Sequence, residues 1–310
     1  MSNQIQNSIS IGLETAWGDG TTPYQSIPIN FTGGIQVDKD VQIISSLKTK
    51  LAKNVFATLG NSKYEGEYEA PLLADDIGHF LYGWFGQDDV TGTSPAFAHT
   101  FTEVEAKPSF CIEQNLQDLV ARYSGSLINS LKFSIAVGQP ILYTLGVKAK
   151  SMAEETAITP VYSELMPMNS GEASILIGGT QIPEMQTATI ELLNNIEMKY
   201  TIGGLGEASY RYMTGSEVNV SFEGYLDATT KAEIFTKYGD GEAVSFEATL
   251  TDGTNTLVIS VPKLVLTTSE TPIAEDYNKI TAEGKAILDP DTSTLVSAVL
   301  TNDVETYIPS

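Results

Sequence analysis

Alternation with a period of two is the feature that most restricts this chain. From Ser130 onward, Leu131, Phe133 and Ile135 are apolar, with Lys132 and Ser134 between them. Val218, Val220 and Phe222 alternate with Asn219, Ser221 and Glu223, and β-branched residues from Leu257 to Leu266 are interleaved with Ser260 and Lys263. This spacing puts one face of a strand on a core and the other in solvent or against a neighbour. Turn formers punctuate the strands at Gly33-Gly34, Gly178-Gly179, Gly203-Gly204, Asp240-Gly241 and Asp252-Gly253. The chain is mainly β.

Two segments break the pattern. In Asp75 to Phe85, Ile77, Phe80, Leu81 and Trp84 form one helical stripe, Asp75 and Asp76 suit the positive N-terminal end, and Gly86 is placed to stop it. Asp227 to Tyr238 reads the same way, with Asp227 as N-cap, Ile234 and Phe235 inward, and Gly239 at the end. Each helix follows a similar strand, Tyr64 to Tyr68 or Val218 to Tyr225, and precedes further strands. The match predicts an internal duplication: an N-terminal arm at 1–25, one module at 26–165 and a second at 172–310. The first module carries about 21 extra residues, placed in the loop from Asp88 to Pro108. Met152 to Gly171 lacks a sustained period, as a linker should.

At 310 residues, 42% of them hydrophobic, the chain has enough apolar material for two cores. Cys111 is its one cysteine, which rules out an internal disulfide. The first ten residues carry no signal-peptide pattern, and no apolar run approaches the length needed to span a bilayer. Synthesis in a reducing cytoplasm is expected. The net charge of −22 is spread over the chain, and it opposes tight binding to nucleic acid phosphates.

Catalytic constellations are missing. His79 falls on the first helix, and His99 falls in the Thr-rich loop with no ligand partner at metal spacing. The glycines at 203, 204 and 206 lead into Tyr210-Arg211-Tyr212, with neither the helix nor the Lys-Ser/Thr of a phosphate loop. No enzyme, cofactor or metal site is expected.

Three stretches carry a family resemblance. Gly12-Leu13-Glu14-Thr15-Ala16-Trp17-Gly18 with Pro23, Tyr123-Ser124-Gly125 through Ile128-Asn129-Ser130-Leu131, and Ala188 to Glu197 around Asn194-Asn195 resemble, in order and spacing, segments of the tail tube (major tail) proteins of long-tailed bacteriophages. The resemblance implies tandem β-sandwich modules, each flanked by one short helix, with long interface loops that clasp neighbouring subunits and rings. It implies a virion structural protein that assembles with itself into stacked rings, meets tape measure, terminator and distal tail proteins, and lets DNA pass without specific binding. Two modules per chain favour a trimer with pseudo-sixfold symmetry over a hexamer.

On this reading the acidic balance belongs to the bore, with Glu65, Glu67, Glu223 and Glu247 as candidate lumen-facing acids. Val41, Ile43, Ile44, Leu47, Leu51, Gly203, Gly204, Tyr210 and Tyr212 are candidate interface-loop residues, ordered by assembly. The alternative reading is a carbohydrate-binding or adhesin-like β-sandwich that decorates the virion.

Overall fold

Alternating side chains need a second layer to cover their apolar face, and the chain supplies it by bending two long strands. The computed structural model describes residues 7–29, 33–45, 54–204, 206–271 and 278–308. The first half runs β1 (Asn7–Leu13), β2 (Gln25–Ile27), β3 (Gly33–Ser45), β4 (Asn54–Pro71), helix α1 (Ala74–Phe85), β5 (Gly86–Thr93), β6 (Ala96–Glu103), β7 (Phe110–Leu116), β8 (Val120–Ala136), β9 (Leu142–Ala149) and β10 (Ser151–Glu154). The second half runs β11 (Ser174–Ile177), β12 (Thr180–Gln181), β13 (Met185–Leu193), β14 (Ile196–Lys199), β15 (Tyr210–Met213) and β16 (Glu217–Tyr225). It continues through helix α2 (228–240) to β17 (Ala243–Thr251), β18 (Thr256–Glu270), β19 (Lys279–Ala286) and β20 (Ser297–Asn302).

Eight strands lie side by side in the order β3, β4, β9, β8, β13, β16, β19, β18, every pair antiparallel. Bulges between Ile128 and Ser130 and between Leu266 and Thr268 mark where β8 and β18 change partners. The N-terminal part of β8 pairs with β7 and β10, and that of β18 with β17 and β20. The second layer is completed by β1 on β7, with β2 on β1, and by β11 on β17, with β12 on β11. Between the layers lies a contiguous core that includes Phe133, Tyr143, Ile190, Phe222, Phe246 and Ile259.

Seven of the eight strand pairings within the first half, all but β5–β6, recur in the second. β1–β2, β1–β7, β3–β4, β4–β9, β7–β8, β8–β9 and β8–β10 match β11–β12, β11–β17, β13–β16, β16–β19, β17–β18, β18–β19 and β18–β20 in chain order. Two ladders join the halves: β8 with β13, and β6 with β20.

Several details differ from the sequence expectations. The Asp88 to Pro108 stretch is largely the β5–β6 hairpin, not a loop, because β6 finds a partner in β20, far away in sequence. Within it His99 is buried, Nδ1 2.9 Å from Asp88 and Nε2 2.7 Å from the Val304 carbonyl. Burial alone lowers the imidazole pKa, but those two partners outweigh it and hold the pKa above the ordinary histidine value. Helix α1 begins at Ala74, buries Ile77, Phe80, Leu81 and Trp84 completely, and ends at left-handed Gly86 as expected. Helix α2 contains a π turn at Lys231–Thr236 and stops at left-handed Gly241, not Gly239. Ile234 is buried but Phe235 is exposed, since a helix on the rim of the sandwich touches it along a single line. The linker is strapped to the first half: Ser26 and Val161 exchange hydrogen bonds, and Met168 is bonded between Leu72 and Ile141.

Candidate assembly surface

The outer face of the eight-stranded sheet is polar because alternation sends every second side chain away from the core. On β4, Tyr64, Tyr68 and Ala70 are buried while Glu65, Glu67 and Glu69 stand between them. On β16, Val218, Val220 and Phe222 are buried while Glu217, Asn219, Ser221 and Glu223 point away. Glu191 of β13 joins the same face, as do Lys132, Lys148, Lys279 and Lys285. Glu223 accepts from Lys279 at 2.6 Å, and Glu65 lies 4.0 Å from Lys148. Among the described residues no cation sits within ion-pair range of Glu67. Of the four acids singled out from sequence, Glu65, Glu67 and Glu223 therefore share one sheet face. Glu247 does not: it stands on β17 in the second layer, hydrogen-bonded by Ser260 at 3.1 Å.

The segment expected as a long loop from Gly33 to Asn61 is paired strand where it is described. β3 and β4 form a hairpin that continues well past the sheet, with Val41 opposite Leu59, Ile43 opposite Ala57 and Ile44 opposite Phe56. Its apolar side chains are uncovered: Val41 is 51%, Ile43 61% and Leu59 71% exposed, and Ile44 and Phe56 are exposed as well. Leu47 and Leu51 lie outside the described residues. The corresponding segment of the second half also holds a hairpin, β14–β15, with Tyr210 and Tyr212 exposed. Gly203 takes a positive φ of 86° in its turn, and the Gly204 N–H donates to the Thr201 carbonyl. The two hairpins touch, with Ser62 N–H donating to the Gly206 carbonyl and the Tyr200 hydroxyl to the Ser62 carbonyl.

The three sequence stretches singled out for their resemblance converge beneath this surface. The buried Glu14 carboxylate accepts from the Gly125 N–H at 2.9 Å, and Trp17 Nε1 donates to the Gly125 carbonyl at 3.0 Å. Asn129, at the β8 bulge, accepts from the Asn194 N–H through its carbonyl and from the Ile196 N–H through its side chain. Asn194 is fully buried and donates from its side chain to the carbonyls of Trp84 and Ile128. Glu14 and Asn194 were not singled out as structural keys from sequence, because their partners are 111 and 66 residues away.

Cys111 is buried, and no group of three His, Cys, Asp or Glu among the described residues could hold a metal. Nor is any described helix long and apolar enough to cross a membrane. A wide sheet with no further strand at either end among the described residues, together with exposed apolar hairpins, gives this chain the surfaces of an assembly subunit.

A model of the phage tail tube protein family matches residues 5–298, and the chain belongs to that family. A comparison with curated proteins finds no match. The protein is therefore a structural component of a phage tail, in a family whose work is assembly with itself and with other tail proteins.

Proposed function

We propose that three copies close a ring whose inner wall is the eight-stranded sheet, lining a bore through which the genome leaves during ejection. The observation that carries this reading is the sheet itself: eight continuous strands, a net acidic outer face and no strand neighbour at either end among the described residues. Three such sheets supply 24 strands. At about 4.8 Å between strands, the backbone wall is roughly 37 Å across, and wider once the strands tilt.

The recurring set of seven pairings supports two tail-tube modules per chain. In this reading β1 to β10 form the first module and β11 to β20 the second, so most of the 1–25 segment belongs to the first module. A heterologous interface that closes after three chains then gives pseudo-sixfold symmetry. Glu65, Glu67 and Glu223 face the bore, and among the described residues Glu67 is the one of the three with no lysine in ion-pair range. Their charge keeps a duplex from adhering, since each phosphate neutralised by a basic wall would add affinity.

Negative-stain imaging with mass measurement tests the ring. Rings or tubes of three chains, each of 33.4 kDa, are expected, whereas a chain that stays solitary at high concentration overturns the reading. Glu67→Lys should leave rings intact and make tubes retain duplex DNA at low salt, read by gel shift; rings that retain no more DNA than wild type would take Glu67 out of the bore. The apolar hairpin is proposed to reach the adjacent ring. Ile43→Ser with Leu59→Ser should then give single rings in place of stacked tubes, and tubes of normal length would count against that contact.

A further inference from the structure

Resting on the ring reading above, we infer that the joint between neighbouring chains copies the joint between the two halves of one chain, and that its register can be read from it. Within the chain, β8 pairs with β13 in the register Ser130 with Leu193, Leu131 with Leu192 and Lys132 with Glu191. The counterpart of β8 is β18, and the counterpart of β13 is β3.

The equivalence is fixed strand by strand. β4 ends at Pro71 and β16 at Tyr225, each separated from its helix by two residues. Pairing Pro71 with Leu142 and Tyr225 with Lys279 aligns β9 with β19. The bulges of β8 and β18 then coincide, Ile128/Ser130 on Leu266/Thr268, and so do those of β7 and β17, Phe110/Ile112 on Val244/Phe246. Through β4 and β16, Gly33 corresponds to Ala188, because Gly33 faces Tyr68 as Ala188 faces Phe222.

Transferred through these equivalences, the register between chains sets Thr268 opposite Asp38, Ser269 opposite Val37 and Glu270 opposite Gln36 of the next copy. Neither edge has a further strand neighbour among the described residues: β17 leaves β18 at Val265, and β3 has β4 as its single strand neighbour. The side chains of Gln114 and Tyr123 hydrogen-bond the N–H and C=O of Ile35, so these groups point off the edge, and those of Val37 point the same way.

The side chains fit as well. The Thr268 hydroxyl can donate to Asp38, and the Gln36 amide to Glu270, across directly opposed positions. Val37 is 38% exposed, while its counterpart Leu192 is completely covered by the internal joint. The joint between chains lacks one clasp: the β5–β6 hairpin that covers β20 has no equivalent between α2 and β17 to cover β10. Dissociation should therefore stop at intact monomers.

Cysteine crosslinking of the full chain tests the register. Opposed residues on antiparallel strands have Cα atoms about 4.5–5.5 Å apart, within disulfide reach, whereas a shift of two residues exceeds the limit of about 7 Å. Cys111 is buried with its thiol pushed up to about 12, so it does not compete. Gln36→Cys with Glu270→Cys should give an oxidised ladder that ends at the ring size, and Gln36→Cys with Thr268→Cys should give little. If rings are seen but the first pair fails to crosslink, or the second crosslinks better, the register is wrong while the ring stands. If no rings form with the unmodified chain, the ring reading falls and this inference with it. A second arm uses charge: Gln36→Glu should raise the half-assembly concentration about two- to fivefold, and adding Glu270→Lys should restore it. Failure of that rescue would also count against the register.

Discussion

Glu14→Ala is expected to lower stability by about 4 kcal/mol, among the largest effects of any single substitution in the chain. Glu14 is 6% exposed and follows β1 directly. Its carboxylate accepts four hydrogen bonds: from the N–H groups of Gly18, Gly20 and Gly125 at 2.9, 3.3 and 2.9 Å, and from the Ser109 hydroxyl at 2.6 Å. Alanine removes the shared acceptor and leaves those donors without it. The turn from Glu14 to Gly20 and the crossing at Gly125 then lose their common anchor. Gly125 itself has no room for a side chain: its φ is 67°, and an added Cβ would lie within 3 Å of Lys150 and Trp17. The unfolding midpoint should fall by roughly 8 °C for a domain of this size. Glu14→Gln, which keeps the shape but turns one acceptor into a donor, should lose about half as much. Thermal or urea unfolding of the isolated chain measures both. A Glu14→Ala loss below about 1 kcal/mol would show that the turn is held by something else.

Asp76 should impose a pH dependence of opposite sense to ordinary acid denaturation. It lies in the first turn of α1, fully buried, with Gln25 donating to one oxygen at 3.0 Å. Burial raises its pKa to about 7, against the lowering effect of Gln25, and neighbouring Asp75 adds to the rise. The folded chain thus keeps a proton that the unfolded chain releases near pH 4. Its contribution to stability is complete below about pH 4 and is lost as pH rises through 7, by roughly 4 kcal/mol in total. Asp76→Asn retains an oxygen for Gln25 and cannot ionise. The variant should be more stable than wild type at pH 8 by roughly 3–4 kcal/mol and nearly equal at pH 4. His99 adds a loss of the same sign above its own raised pKa, which the variant leaves in place. Unfolding midpoints from pH 4 to 9 on both proteins would decide the matter; parallel curves would mean that Asp76 titrates normally.

Much of the candidate surface was legible from local chemistry. The alternation around Glu65, Glu67 and Glu223 places them opposite Tyr64, Tyr68 and Phe222, which are buried as the period requires. The stripe of α1 and its glycine stop follow from spacing alone. Glu247 reads as identically alternating, yet it belongs to the other layer, because period says which face of a strand is polar but not which sheet the strand joins. Likewise the apolar content of Val41, Ile43 and Ile44 flagged an uncovered segment, while its pairing with residues 56–59 was hidden.

From the sequence alone came the strand-rich character, the two helix positions, the acid rows and the likeness that family membership bears out, since each depends on residues near one another along the chain. The tertiary structure decided which strands share a sheet, the union of β8 with β13 and of β6 with β20, and the convergence of Glu14 on Gly125 and of Asn129 on Asn194. Those pairings join backbone groups that nearly every residue carries, across separations for which side-chain pattern gives no address.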